Sequence, residues 1–109
     1  MCCSRIRVTL NGVVKDKKDE FAGTYQKASV LINKRSYWNK IDGEYALWWD
    51  IIVNSWTIGR LSDLGSNLGY IKSVQDSACP TSDNLFKYGD GEKWHLAPIN
   101  SVSIQCYKG

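Results

Sequence analysis

At 109 residues and 12% aromatic, the chain has the size of one ordinary domain and enough bulky apolar side chains for a single core. Its 14 Lys and Arg against 11 Asp and Glu leave a net charge of +3. That balance is too even for the concentrated basic face of a nucleic-acid binder. No apolar run approaches the roughly 18 residues of a membrane-spanning helix, so neither nucleic acid nor membrane insertion is expected.

The first predicted element is Arg5 to Leu10, whose alternation puts Ile6, Val8 and Leu10 on one face of a half-buried strand. Asn11-Gly12 marks a turn. Signs alternate in Lys15-Asp16-Lys17-Lys18-Asp19-Glu20, as in a solvated loop or an exposed hairpin arm. Phe21 to Tyr25 reads as a short strand in which Gly23 marks a bulge or a close backbone approach. Ala28 to Ile32 fits a strand or a loop wall. Arg35 to Lys40 and Tyr45 to Trp49 pair about an Asp42-Gly43 turn. Ile51-Ile52-Val53 and a turn at Asn54-Ser55 lead into Trp56 to Arg60, the third strand of a meander. Three of the five tryptophans, Trp48, Trp49 and Trp56, fall between Tyr45 and Gly59. Each fully buried aromatic removes roughly 150–250 Å² from water, so the centre of the core belongs here.

Leu61 to Gly69 is rich in Ser, Asp, Asn and Gly, which predicts a loop with Leu61, Leu64 and Leu68 plugged onto the core. Ser62 can cap a single helical turn there. Tyr70 to Val74 is a further strand, and Gln75 to Asn84, containing Cys79-Pro80, is irregular. Phe86-Lys87-Tyr88 and Lys93 to Leu96 flank Gly89-Asp90-Gly91 as a second hairpin, and Ser101 to Cys106 repeats the alternation of the first strand. Short strands spaced by roughly 8–12 residues, with no convincing helix, predict an all-β domain: one small antiparallel β-sandwich or barrel-like meander. The first and last strands should lie side by side, hiding one sheet edge.

The cysteines set the compartment. Four of them, with no Cys-x-x-Cys spacing, read as a disulfide framework in a secreted, extracellular protein rather than as a zinc site. Met1 leads directly into Cys2-Cys3 without an apolar leader, which fits a mature secreted domain carrying a start methionine. Adjacent cysteines rarely bond to each other, so Cys2 and Cys3 pair with Cys79 and Cys106 in one of two ways.

Gly23-x-Tyr25, Asn33-x-Arg35-x-Tyr37, Ala46-Leu47-Trp48-Trp49, Trp56-x-Ile58-Gly59 and Leu64-Gly65 occur in that order. Together they resemble a Trp-rich β module of predicted extracellular invertebrate proteins, found in looser form in protist proteins. The resemblance covers about residues 21 to 106. It implies an autonomous extracellular module and no catalytic residue.

Candidate chemistry is sparse. His95 is the single histidine, and no serine sits in a Gly-x-Ser-x-Gly elbow to serve it as nucleophile. Asp42, Glu44 and Asp50 are the carboxylates nearest the aromatic hairpin, where a glycosidase would set two across a groove. A turn explains Asp42, however, and an exposed flank explains Glu44. Asp63, Asn67, Asp76, Asp83 and Asp90 lack the spacing of a calcium loop and read as solvated loop residues. No enzyme, no cofactor and no metal are therefore expected. An aromatic surface is left. With Leu47 facing the core, Trp48 points the other way beside Asp50, and Trp38 and Tyr37 split across faces in the paired strand. An outward indole among Asp50, Arg35, Asn39 and Arg60 would make a patch for carbohydrate or for a protein surface. The alternative is that the loop from Leu61 to Gly69, or a second sheet, covers Trp48. Trp48, Asp50, Trp38, Arg35 and Arg60 are the candidate ligand-binding residues of a secreted, non-enzymatic, lectin-like or adhesive recognition module. A structural or assembly module of matrix, mucus, venom or shell is the alternative function.

Overall fold

The structure, a computed structural model, describes residues 2–41, 43–74, 77–82 and 85–107. Among these, the strands are β1 (Arg5–Leu10), β2 (Gly23–Ile32), β3 (Arg35–Lys40), β4 (Tyr45–Asp50), β5 (Ser55–Arg60), β6 (Ile71–Ser73), β7 (Phe86–Gly89), β8 (Trp94–Leu96) and β9 (Val102–Cys106). They form one antiparallel sheet in the order β8-β7-β6-β5-β4-β3-β2-β1-β9. The sheet curls into a half-barrel around its core, which is the barrel-like form of the predicted all-β fold.

Alternation explains the outer strands. Ile6, Val8 and Leu10 are buried while Arg5, Arg7 and Thr9 are exposed. In the β1–β9 pair, Val8 stands opposite Ile104 and Leu10 opposite Val102. The first and last strands are neighbours, as expected, which leaves β8 and β9 as the two ends of the sheet. Asn33 and Lys34, with φ of 52° and 68°, form the two-residue turn between β2 and β3, a geometry whose twist matches the flanking strands. The Asp42-Gly43 turn falls partly outside the described residues, because Asp42 is not among them; so do Gln75, Asp76, Asp83 and Asn84 of the irregular segment.

The inner face of the curl carries the aromatic core. Leu47 lies opposite Trp38 and Ile58, and Trp49 opposite Trp56. Trp56 meets Trp38 and Trp49 edge-to-face, with ring centroids 5.8 and 5.4 Å apart, the geometry that aromatic quadrupoles favour. The Trp38 Nε1–H donates to the Cys3 carbonyl and the Trp56 Nε1–H to the Ser77 carbonyl, each at 3.0 Å. Tyr25 donates its hydroxyl to the Phe21 carbonyl at 2.7 Å, and burial pushes its phenol well above the ordinary tyrosine range.

Disulfides Cys2–Cys79 and Cys3–Cys106 select one of the two pairings the sequence allows, with sequence separations of 77 and 103. Loops of that length cost the unfolded chain about 4–5 kcal/mol each in the chain-entropy model.

Three expectations are corrected. The charged run is not a loop or a hairpin arm: Gly12–Lys18 is a short helix, α1. Val14 gives it one fully buried anchor, and Lys15, Lys17 and Lys18 lie in its last turn, where cations offset the helix dipole. Phe21 belongs to a 3₁₀ turn at Asp19–Phe21, and β2 runs unbroken from Gly23. Its bulge lies between Lys27 and Leu31, not at Gly23. The other reading of Gly23, a close approach to its backbone, holds: Lys40 Cε is 2.8 Å from where a Cβ would stand. Leu61 and Leu68 do not plug the core, being 42% and 62% exposed; a 3₁₀ turn at Leu61–Asp63 opens their loop.

That loop docks by its backbone. A Cβ on Gly69 would stand 1.9 Å from Thr57 Cγ2, and one on Gly59 would stand 2.8 Å from Trp48 Cη2 and 3.2 Å from Gly69 Cα. Two facing glycines thus let the loop lie flat on the outer face of β4 and β5. Gly69→Ala should force the loop outward and cost about 1–3 kcal/mol, read from urea unfolding midpoints. A change within experimental error would mean that the close approach is not what holds the loop.

Candidate functional site

Alternate residues of β4 and β5 point away from the aromatic core. Ala46, Trp48 and Asp50 lie opposite Gly59, Thr57 and Ser55 on that outer face, and all six are buried. The covering loop takes the Trp48 indole bond, whereas the Ser55 and Thr57 hydroxyls are buried without a hydrogen-bond partner among the described residues. Trp48 Nε1–H donates to the Ser66 carbonyl at 3.0 Å. Lys72, next to Thr57 across β5 and β6, donates to Asp50 Oδ2 at 2.7 Å and to the Asn67 carbonyl at 3.2 Å. The other Asp50 oxygen accepts from the Ile52 amide at 3.0 Å and shapes the start of the β4–β5 turn. Asn33, at the adjacent β2–β3 turn, donates to the Trp49 and Gly65 carbonyls.

This overturns the open aromatic patch. Trp48 and Asp50 do leave the core face as their register requires, but they pass under the loop rather than into solvent. Trp38 lies on the inner face. Arg35 is half-buried, its guanidinium 3.7 Å from the centroid of the Trp49 ring and donating to the Ser77 carbonyl at 3.0 Å; its charge is spent on internal packing. Asn39 is half-buried too. Of the five candidates, Arg60 alone is exposed.

Arg60 occupies a defined place. It ends β5 directly opposite Tyr45, the first residue of β4, and the bond from the Leu61 amide to the Glu44 carbonyl at 2.8 Å locks that end of the pair. A groove of about 640 Å³ opens here, lined by Glu44, Tyr45, Arg60, Leu61 and Ser62. An adjoining hollow of about 190 Å³ shares Tyr45 and Arg60 and adds Lys18, Glu20 and Tyr70. Phe21 sits between the two tyrosines, its centroid 4.7 Å from Tyr45 and 5.4 Å from Tyr70. Cations line the same rings: Lys18 Nζ is 5.1 Å and Arg60 Cζ 5.7 Å from the Tyr70 centroid, and Lys40 Nζ is 5.5 Å from that of Tyr45. Half-buried phenol rings beside the Glu20 and Glu44 carboxylates and the exposed Arg60 can bind a polar ligand that also has apolar faces. Reading the strands alone missed Tyr45, Tyr70 and Lys18. The available signal was Tyr45 at the mouth of its strand, level with Arg60.

His95 lies on the β7–β8 hairpin, its ring centroid 5.3 Å from that of Tyr88 and its Nε2 2.6 Å from Asp90 Oδ2. The other Asp90 oxygen accepts from the amides of Glu92 and Lys93. The hydrogen bond with His95 first, and those two amides after it, hold the Asp90 carboxyl well below the usual carboxylate range. Asp90 is therefore a turn-forming residue that also fixes the His95 ring. Of the residues weighed for calcium, Asp76 and Asp83 lie outside the described residues, as does Asp42 of the carboxylate set. Among the described residues no three His, Cys, Asp or Glu side chains come together to hold a metal ion.

Comparison with protein-family models, with curated proteins and with solved structures finds no match for this chain.

Removing one partner of a buried ion pair strands the other charge, at about 3–5 kcal/mol. Lys72→Ala should therefore lower unfolding free energy by that amount in urea, and Asp50→Ala/Lys72→Ala should cost less than the sum of the two single changes. Additive costs in that cycle would show the pair to be uncoupled. Because the native Asp90 carboxyl is lowered, its contribution to stability is complete above the ordinary value of 3.8 and is lost as pH falls through the lowered value. Asp90→Asn should flatten the acid limb of the stability profile below that value, measured by urea midpoints; an unaltered limb would count against the pairing with His95.

Proposed function

We propose that the protein is an extracellular, non-enzymatic recognition module that binds carbohydrate in the groove around Arg60. The observation that carries this reading is the exposed Arg60 guanidinium at a groove walled by Tyr45 and Tyr70 and edged by Glu20 and Glu44. Sugars present apolar C–H faces that suit aromatic rings, and hydroxyls that suit charged donors and acceptors placed around them. Two disulfides are compatible with an oxidising compartment, where such cross-links persist. A second reading, assembly through self-association, rests on Ile51, Ile52 and Val53, which are 52%, 69% and 50% exposed at the β4–β5 hairpin tip.

A glycan array separates the two. The wild-type chain is expected to retain a defined subset of glycans, and Arg60→Ala to weaken that binding tenfold or more, about 1.4 kcal/mol, with an unaltered melting temperature because the side chain is exposed. A blank array, or equal retention by the variant, would overturn carbohydrate binding at this groove. Concentration-dependent sedimentation that Ile52→Ser abolishes would favour assembly instead.

A further inference from the structure

The β8 end of the sheet is open. Bonds from the Asp90 amide to the Lys93 carbonyl and from the Ala97 amide to the Phe86 carbonyl, at 3.1 and 2.9 Å, bracket the facing pair Tyr88 and His95. Backbone groups in an antiparallel pair point alternately toward and away from the partner. Residues 93, 95 and 97 therefore bond to β7, and Trp94 and Leu96 aim their N–H and C=O groups outward. Those groups make no hydrogen bond among the described residues. Natural edges are usually blunted by shortness, lysine, proline or inward charge, and β8 is short, three residues, but its Trp94 and Leu96 side chains are apolar. This one instead presents Trp94 at 41% and Leu96 at 68% exposure.

The covering loop reaches Trp94 only at its end, where Gly69 and Tyr70 share a hollow of about 200 Å³ with that ring. Beyond Lys72, the outer face holds a cleft of about 300 Å³ lined by Val53, Ser55, Ser73, Val74, Lys87, Trp94 and Leu96. That is near the lower end of the roughly 300–1,000 Å³ of ligand sites, the size of one or two side chains. Lys87 lies directly across from Leu96, with its Nζ 5.6 Å from the Trp94 ring centroid, and among the described residues no carboxylate lines the cleft. The cleft combines the apolar side chains of Val53, Val74, Trp94 and Leu96 with two serines and one cation, beside a free strand edge, and it shares no described residue with the Arg60 groove.

We propose that β8 accepts an extended segment of a partner protein as a further antiparallel strand, with an apolar side chain in this cleft and a carboxylate against Lys87. Main-chain bonds to Trp94 and Leu96 supply affinity, and the cleft and Lys87 supply selectivity. The segment favoured is apolar at alternate positions and acidic, a charge pattern complementary to the cation that the cleft presents.

The test titrates an end-blocked hexapeptide of alternating valine and glutamate into the nitrogen-labelled full chain and follows its amide resonances. The Trp94 and Leu96 amides should shift and exchange more slowly, whereas a valine–lysine peptide should bind at least tenfold more weakly. Leu96→Pro removes an outward N–H without breaking a bond to β7, a place where a strand tolerates proline, and should abolish the response. Lys87→Glu, an exposed-face change that preserves the edge, should reverse the preference between the two peptides. The proposal is overturned by silence at about 1 mM peptide, or by a response indifferent to both variants. It is also overturned by a dimer in which the Trp94 and Leu96 amides are already protected, or by decanoate filling the cleft where the peptide does not.

Discussion

A buried indole N–H without an acceptor costs about 1–3 kcal/mol, and three tryptophans of this protein face that penalty. Each meets it in the same way. Trp38, Trp48 and Trp56 donate to the carbonyls of Cys3, Ser66 and Ser77, all at 3.0 Å. None of the three acceptors belongs to a strand. The irregular segments are thus placed by the sheet, one against the outer face and two at the inner mouth of the curl. Arg35 adds a second claim on the Ser77 carbonyl while lying over Trp49.

The disulfides act on the same places. Cys3 is both a cross-linked residue and the acceptor for Trp38, and Cys79 lies two residues beyond the acceptor for Trp56. Covalent bonds and indole hydrogen bonds therefore converge on the same two short segments. The cross-link restricts where the carbonyls can go, and the rings give them a reason to stay. Neither would be as effective alone, because a loose loop pays entropy to order its carbonyl and a tethered one without a donor has no preferred register.

Strand-level structure was legible because two-residue periodicity reports directly on which side is buried. It correctly separated Leu47 and Trp49 from Trp48 and Asp50. It named the loop from Leu61 to Gly69 as one possible cover of the second face, and that alternative holds, but it could not choose it over an open patch, since the choice depends on contact between Gly69 and Thr57, residues uninformative by type. Trp48 and Asp50 therefore looked like surface residues, though Asp50 belongs to a buried pair with Lys72. Helix α1 escaped for the opposite reason: its burial rests on Val14, too little to register as a pattern within a run of charges. The groove was half visible. Arg60 stood out as a cation beside the aromatic strands, but Tyr45 and Tyr70 were read only as the first residues of their strands. Their position at strand mouths, where a ring is walled on one side and open on the other, follows from pairing register and not from composition.

The adjacency of β1 and β9 has a mechanical side. Cys3 and Cys106 bring the two ends of the folded body to a Cα separation of 5.7 Å and join them covalently. Tension applied at both ends would run through that sulfur link and bypass the sheet, leaving the hydrogen-bonded ladders unloaded. A body of this kind transmits pull without being stretched by it.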